Sequence, residues 1–152
     1  MEKGAVTAVR QASIADLDIL APQFDRYRQF YGQASESERI RKFLRDRLEH
    51  HQSVIFVALR EGAPIGFTQL YPSFSSLGLA RIFVLNDLFV DPATRRTGAG
   101  AALLEAAADY ARGVGATRLV LSTGLTNTTA QALYEKLGWK RDTEFCTYQL
   151  GL

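Results

Sequence analysis

A chain of 152 residues with 47% hydrophobic content has the size of one ordinary domain and can bury a sizeable core without metal or disulfide help. A charged fraction of 22% and a net charge of +2 argue against an acidic tail, a disordered chain or a dedicated nucleic-acid surface. A single cysteine, Cys146, excludes an internal disulfide; Met1-Glu2-Lys3-Gly4 leads into no apolar leader core, and no apolar run reaches the ~20 residues that cross a bilayer, so residence in the cytoplasm without a membrane partner is expected.

Along the chain, Val6 to Ala12 is predicted as a short first strand. Ser13, with Asp16 three residues later, opens an amphipathic segment toward Tyr31 that Pro22 should interrupt or kink. In a second helix Ser35 and Glu38 form a capping-box pattern, Ile40, Phe43, Leu44 and Leu48 line one face, and His50 with His51 closes the element. Ser53 to Arg60 and Ile65 to Tyr71 read as a hairpin around Glu61-Gly62-Ala63-Pro64, with Pro72 to Ser76 as the next turn. Leu79 to Val90 is an apolar strand broken by Arg81 and by Asn86-Asp87. Later come a helix to about Gly113, a strand from Leu119 to Ser122, a helix from Thr128 to Leu137 ended by Gly138, and a last strand near Phe145 to Leu150 in which Cys146 is expected to be buried. That order implies an α/β (α+β) fold of one domain over residues 1–152, a mixed sheet with helices on both faces.

Between the broken strand and the next helix lies Arg95-Arg96-Thr97-Gly98-Ala99-Gly100, followed by Ala101. Two glycines admit an anion close to the backbone, a helix start offers unpaired N–H donors, and two arginines add charge, so the stretch suits a diphosphate. A nucleotide-hydrolysing loop would need lysine and a hydroxyl after the second glycine, where Ala101 and Ala102 stand. A dinucleotide fingerprint would need a third glycine where Leu103 stands, and a carboxylate that residues 115–122 do not supply.

Arg95, Gly98 and Gly100 instead match the Gln/Arg-x-x-Gly-x-Gly/Ala signature of the GNAT superfamily, the acetyl-CoA-dependent N-acetyltransferases. The resemblance extends upstream through residues 85–92 and downstream through residues 127–139, which are similar to the family's two cofactor-binding blocks in order and spacing. It implies the GNAT fold: a mixed, mostly antiparallel sheet of about six to seven strands flanked by four helices. The sheet would splay between the strand ending at Val90 and that ending near Ser122, admitting the pantetheine arm of coenzyme A. It also implies no metal and a homodimer through the C-terminal strands. Around the broken strand the chain resembles polyamine and thialysine acetyltransferases, whose Leu-Glu-Asp is here Leu85-Asn86-Asp87.

Acyl transfer from a thioester to an amine needs a deprotonated nitrogen, a donor for the developing oxyanion, a proton for the departing sulfur and two reactants held together. Asp87 is the candidate to attract and deprotonate an ammonium, with Asn86 orienting a water; the alternative is a strand-end carboxylate paired with an arginine. Tyr134 matches the family position whose phenol protonates the thiolate, the alternative being a core aromatic in the stripe of Ala130, Leu133 and Leu137. By resemblance the cofactor is held by backbone groups of Leu88, Phe89 and Val90, by Arg95, Arg96, Thr97, Gly98, Ala99, Gly100 and Ala101, and by Asn127, Ala130 and Tyr134; Asn127 also suits an N-cap. The early helices and hairpin would bring Tyr27, Tyr31, Gln69, Asn86 and Asp87 to the acceptor, with Phe30, Phe67, Tyr71 and Phe74 as further aromatic candidates. The expected acceptor is a small primary amine such as a polyamine, diamine or amino-acid-like compound. A peptide or histone-like acceptor, a noncatalytic acyl-CoA-binding module and a nucleotide hydrolase are the alternatives.

Overall fold

The computed structural model describes residues 7–152 apart from Arg96. Val6 and the Met1 to Gly4 segment, like the expected phosphate contact at Arg96, lie outside the described residues. The chain divides into two compact units, Met1–Leu121 and Ser122–Leu152.

In the first unit, strand β1 (Ala8–Gln11) leads through a 3-10 turn (Ile14–Asp16) into helix α1 (Leu17–Phe30) and helix α2 (Ser37–Glu49). Strands β2 (Val54–Arg60), β3 (Ala63–Ser75) and β4 (Ala80–Val90) follow, then helix α3 (Ala99–Gly113) and strand β5 (Leu119–Val120). The sheet runs in the order β1-β2-β3-β4-β5, antiparallel except for the parallel β4–β5 pair. Five strands are present among the described residues, against the six to seven expected.

One face of the sheet packs on α1 and α2 through Leu17, Leu20, Phe24, Ile40, Leu44, Ile55, Val57, Phe67 and Phe89. The other packs on α3, where Phe56 and Phe83 meet the Tyr110 ring edge-on at 5.7 Å each. The helices on both faces read from element order are therefore present.

Local chemistry explains where the elements begin. Ser13 N–H donates to the Asp16 carboxylate at 2.8 Å and Ala15 N–H to Ser13 Oγ, a capping box that Arg10 reinforces with two bonds to Asp16. The box expected at Ser35 and Glu38 is absent, and Asp25 of α1 does its work, accepting from Ser35 Oγ at 2.6 Å and from Glu36 N–H at 3.3 Å. A tertiary carboxylate has displaced the local cap. Helix α1 runs through Pro22 without interruption; lying early in the helix, the proline deprives only the Asp18 carbonyl of an N–H, and Leu20, Ala21, Gln23 and Phe24 are buried around it.

The turn expected at Pro72 to Ser76 is instead strand as far as Ser75. Pairing with β2 ends at Leu70, so β3 is an edge on that side beyond it, where a proline costs no ladder bond. Residues 76–79 make the turn, and Leu79, counted with the strand from sequence, closes it at φ 49°.

In the second unit, helix α4 (Thr128–Lys136) is capped by Asn127, whose Oδ1 accepts from Ala130 N–H at 3.2 Å. No strand forms over Phe145 to Leu150, and Cys146 is exposed rather than buried. A strand exists only with a ladder partner, and this segment has none among the described residues.

Candidate active site

Strand β4 carries a bulge. Gln69 pairs with Asp87 while Leu70 pairs with Leu85, so Asn86 is the extra residue. The extra residue reverses the alternation of faces: Phe83 packs toward α3, whereas Phe89 lies in the core under α1 and α2. It also turns Asp87 toward the α1–α2 face with Phe89, although the strand's earlier register would have aimed it the other way.

Asp87 is buried, and its carboxylate collects donors. Gln69 Nε2 donates to Oδ2 at 2.8 Å, Asn86 Nδ2 to Oδ1 at 3.2 Å, and the Tyr27 hydroxyl also donates to it. Its backbone carbonyl accepts from Thr68 Oγ1 at 2.8 Å. Burial, and then the Asp87 charge, push the Tyr27 phenol far above its ordinary value. Burial followed by Asp87 also pushes Tyr71 up, to about 12. Both phenols are therefore hydrogen-bond donors at neutral pH, and Gln69 Nε2 donates to Tyr71 Oη at 3.1 Å, leaving the Tyr71 proton for another acceptor. The arginine pairing considered for Asp87 is not formed among the described residues.

The carboxylate opens into a cavity of about 330 Å³. Helix α1 supplies Phe24, Tyr27 and Arg28, helix α2 supplies Arg39, Ile40 and Phe43, and the sheet supplies Tyr71, Asn86 and Asp87. Of the residues expected at the acceptor, Tyr27, Asn86 and Asp87 line this cavity, and Gln69 lies fully buried behind Asp87. Tyr31 is exposed and stacks edge-on against Tyr27 at 5.2 Å without lining the cavity. Phe67 is core, Phe30 is exposed, and Phe74 is exposed under the Arg81 guanidinium, toward the far end of the β3–β4 hairpin. Arg28 and Arg39 were not anticipated. The available signal was spacing: Arg28 follows Phe24 and Arg39 precedes Phe43 by four residues, so each guanidinium borders an apolar helix face.

Beyond the bulge, β4 keeps an open edge. The β4–β5 ladder contains only Phe83↔Leu119 and Val84↔Val120, and no strand pairs on that side with residues 85–90 among the described residues. Asp91 N–H crosses to Ile65 C=O at 2.8 Å, and the Phe89 carbonyl lies against Gly66, so by alternation the backbone groups of Leu88 and Val90 face the open edge while those of Phe89 face β3. Asp91 then accepts from Arg26 at 2.7 Å and from Ala93 N–H at 3.0 Å, fixing the exit of β4 to α1.

Helix α3 starts at Ala99 behind Gly98, whose φ of 82° is left-handed. Among the described residues no side chain caps it, and its first ladder bond runs from Ala102 N–H to Gly98 C=O, so the N–H groups of the first turn, Ala99 to Ala101, have no partner among those residues and suit an anion. An exposed Thr97 bonds Thr94 C=O through its hydroxyl, and the Arg95 guanidinium lies 5.2 Å over the Phe30 ring. A bare, positively polarised helix start of this kind fits a diphosphate. In the second unit, Ala130 and Tyr134 sit on α4 beyond the Asn127 cap, and the Tyr134 ring packs on Trp139 at 6.1 Å.

Comparison with known proteins bears on the family and the fold. The model of the Acetyltransferase (GNAT) family matches residues 18–139. An uncharacterized N-acetyltransferase, YhfO, of Bacillus subtilis (strain 168) is 50% identical over 144 residues, covering 95% of this chain and 97% of its own. A probable acetyltransferase of Haemophilus influenzae is 34% identical over 138 residues, covering 90% and 92%. The crystal structure of a probable acetyltransferase superposes with a TM-score of 0.91 at 44% identity, covering 95% of this chain and 97% of that one.

Proposed function

The chain belongs to the GNAT family of acetyltransferases and is an acyltransferase that uses acetyl-CoA, and from that premise we propose that it acetylates the primary amine of a small molecule in a ternary complex. Polyamines, diamines and amino-acid-like amines are the acceptor classes considered. The observation that carries this reading is the bulge at Asn86, which sets a buried, donor-ringed carboxylate at the floor of an open cavity four residues before the strand's exit at Asp91. A cavity of 330 Å³ lies at the small end of the roughly 300–1,000 Å³ typical of ligand pockets, which favours a small molecule over a peptide.

The acyl donor supplies a thioester carbonyl. Asp87 attracts the acceptor ammonium and takes its proton, directly or through a water held by Asn86, freeing the nitrogen lone pair. The nitrogen attacks the carbonyl carbon while an N–H on the open β4 edge, at Leu88 or Val90, receives the developing oxyanion. The carbon–sulfur bond then breaks, the Tyr134 phenol gives its proton to the thiolate, and the new amide nitrogen releases its second proton through solvent, which restores the phenol. The α3 start, with Arg95 and Thr97 to Ala101, holds the diphosphate; the family resemblance assigns Arg96 to the same group and Asn127 and Ala130 to the pantetheine. The protein works in the cytoplasm as a homodimer; the exposed Phe145, Tyr148 and Leu150 of the C-terminal segment support the second part of that reading.

An amine panel with acetyl-CoA, followed by free-thiol release, tests this function. Amine-dependent release is expected, and Asp87→Asn should lower kcat/KM by about 10²- to 10⁴-fold. Full turnover in Asp87→Asn would exclude it as the base, and full turnover in Tyr134→Phe would exclude the phenol as donor. Tight acetyl-CoA binding with no release across the panel would leave a binding module.

A further inference from the structure

The cavity carries opposite charges on opposite elements. Its sheet side presents Asp87; its helix side presents Arg28 and Arg39. Glu36 stands between the two guanidiniums, its Oε2 accepting from Arg28 Nη2 at 3.0 Å and its Oε1 from Arg39 Nη1 at 3.1 Å. One carboxylate between two guanidiniums leaves a positive surplus. Arg28 is further fixed by its Nη1 donating to Ala34 C=O at 3.3 Å, whereas Arg39 is 79% exposed and donates to nothing else among the described residues.

Elsewhere on α2 the charges are largely paired, Arg41 with Asp18 and Lys42 with Asp46, each at 2.7 Å, so the surplus is that of the two lining guanidiniums. Arg47 lies over the Phe43 ring at 4.5 Å, and its charge is felt at Tyr71, so two lining residues sit under its influence. A diamine or polyamine entering with one ammonium at Asp87 would carry its second ammonium toward these guanidiniums, where like charges repel. A molecule with an amine at one end and an anion at the other meets the complementary charge at both.

We propose that the acceptor is an amino carboxylate whose amine enters against Asp87 and whose carboxylate is taken by Arg28 and Arg39, with its carbon body against Phe24 and Phe43. The inference rests on the reading of the protein as a small-amine acetyltransferase and narrows its acceptor class. The guanidinium fork matches a carboxylate in two parallel hydrogen bonds, and each of the two already donates one N–H to the Glu36 carboxylate. The walls of Phe24, Phe43 and Tyr27 suit a hydrocarbon or ring between the two charged ends.

The test compares matched acceptors on the full chain with acetyl-CoA: ω-amino carboxylates from glycine to 6-aminohexanoate against unbranched alkylamines and diamines of equal length, and L-phenylalanine against phenethylamine. At its best length the amino carboxylate should exceed its matched amine by about 10- to 100-fold in kcat/KM, chiefly through KM, the worth of hydrogen bonds to a charged group. Arg39→Gln, made at an exposed side chain, should collapse that ratio toward one while acetyl-CoA affinity stays intact, and Arg39→Lys should recover part of it. Amines and diamines that match or beat the amino carboxylates, or a ratio unmoved by both Arg39→Gln and Arg28→Gln, would overturn the inference and leave small-amine acetylation standing. Thiol release with neither class would bring down the underlying reading, and this inference with it.

Discussion

Asp87 stands out in sequence because a carboxylate interrupts an apolar strand, and burying one demands donors. Its donors were not equally legible. Asn86 adjoins it, but Gln69 reaches it only through cross-strand register, and Tyr27 only through the packing of α1 on the sheet. Arg28 and Arg39 stayed hidden because nothing local says that α1 and α2 leave a cavity between them. A second carboxylate, Asp91, shows how a residue can be read by pH. Its hydrogen bond from Arg26, and after it that from Ala93 N–H, hold the carboxyl below the usual range. A depressed folded-state value means that the pair contributes stability above the unfolded carboxylate value and loses it as pH falls through the folded one. Arg26 is half exposed, so the contribution is at most ~1 kcal/mol. The Tm of Arg26→Gln should therefore lie below that of the natural chain at pH 7, and the gap should close below about pH 4 in thermal melts. A gap that persists to pH 2 would assign the effect to packing of the arginine stem.

At the scale of elements, a helix is legible where apolar spacing and a cap coincide, as in α4 behind Asn127, and strands where β-branched and aromatic residues cluster, as in β2 and β4. Errors fall where tertiary contacts override local signals. Asp25 replaced the Ser35 cap, Pro72 was tolerated in an edge, and Phe145 to Leu150 found no ladder. Neither bulge was visible, because a bulge is a mismatch between two strands rather than a property of one. At the other end of the hairpin, Ala58 pairs with Gly66 and Leu59 with Pro64, which makes Ile65 the extra residue. Gly66 follows it at a close approach: a Cβ there would stand 2.4 Å from the Phe89 carbonyl oxygen and 3.2 Å from the Val90 Cα, both backbone atoms of β4. Neither atom can move without shifting the strand that leads to Asp91. Gly66→Ala should thus cost about 1–3 kcal/mol in urea unfolding, as overpacking does elsewhere. An unchanged midpoint would mean that β4 yields freely at this crossing.

For the molecule as a whole, the sequence conveyed a sheet covered on both faces and a glycine-bearing loop between β4 and α3 whose composition suits a diphosphate, since motif spacing and element order point the same way. The link between that loop and stability gives a test independent of turnover. A ligand that binds only the folded chain stabilises it by about 2.7 kcal/mol at one hundred times Kd, and a domain of this size gains about 2–4 °C in Tm for each kcal/mol. Acetyl-CoA at that level should raise Tm by about 5–11 °C, less at high salt because part of the attraction is between exposed charges. The left-handed Gly98 is the conformational key, as its φ of 82° turns the chain into α3 while leaving the N–H groups of Ala99, Gly100 and Ala101 uncovered. Any side chain there is strained by about 1–2 kcal/mol, although nothing lies within 4 Å of an added Cβ. Gly98→Ala should therefore lower the Tm of the cofactor-free chain and shrink the acetyl-CoA shift at a fixed concentration. Gly98→Asn, better suited to the left-handed region, should recover more of the first than of the second, because its side chain can cap the very donors the diphosphate needs. A full shift retained in both variants would place the anionic end of the cofactor away from the α3 start.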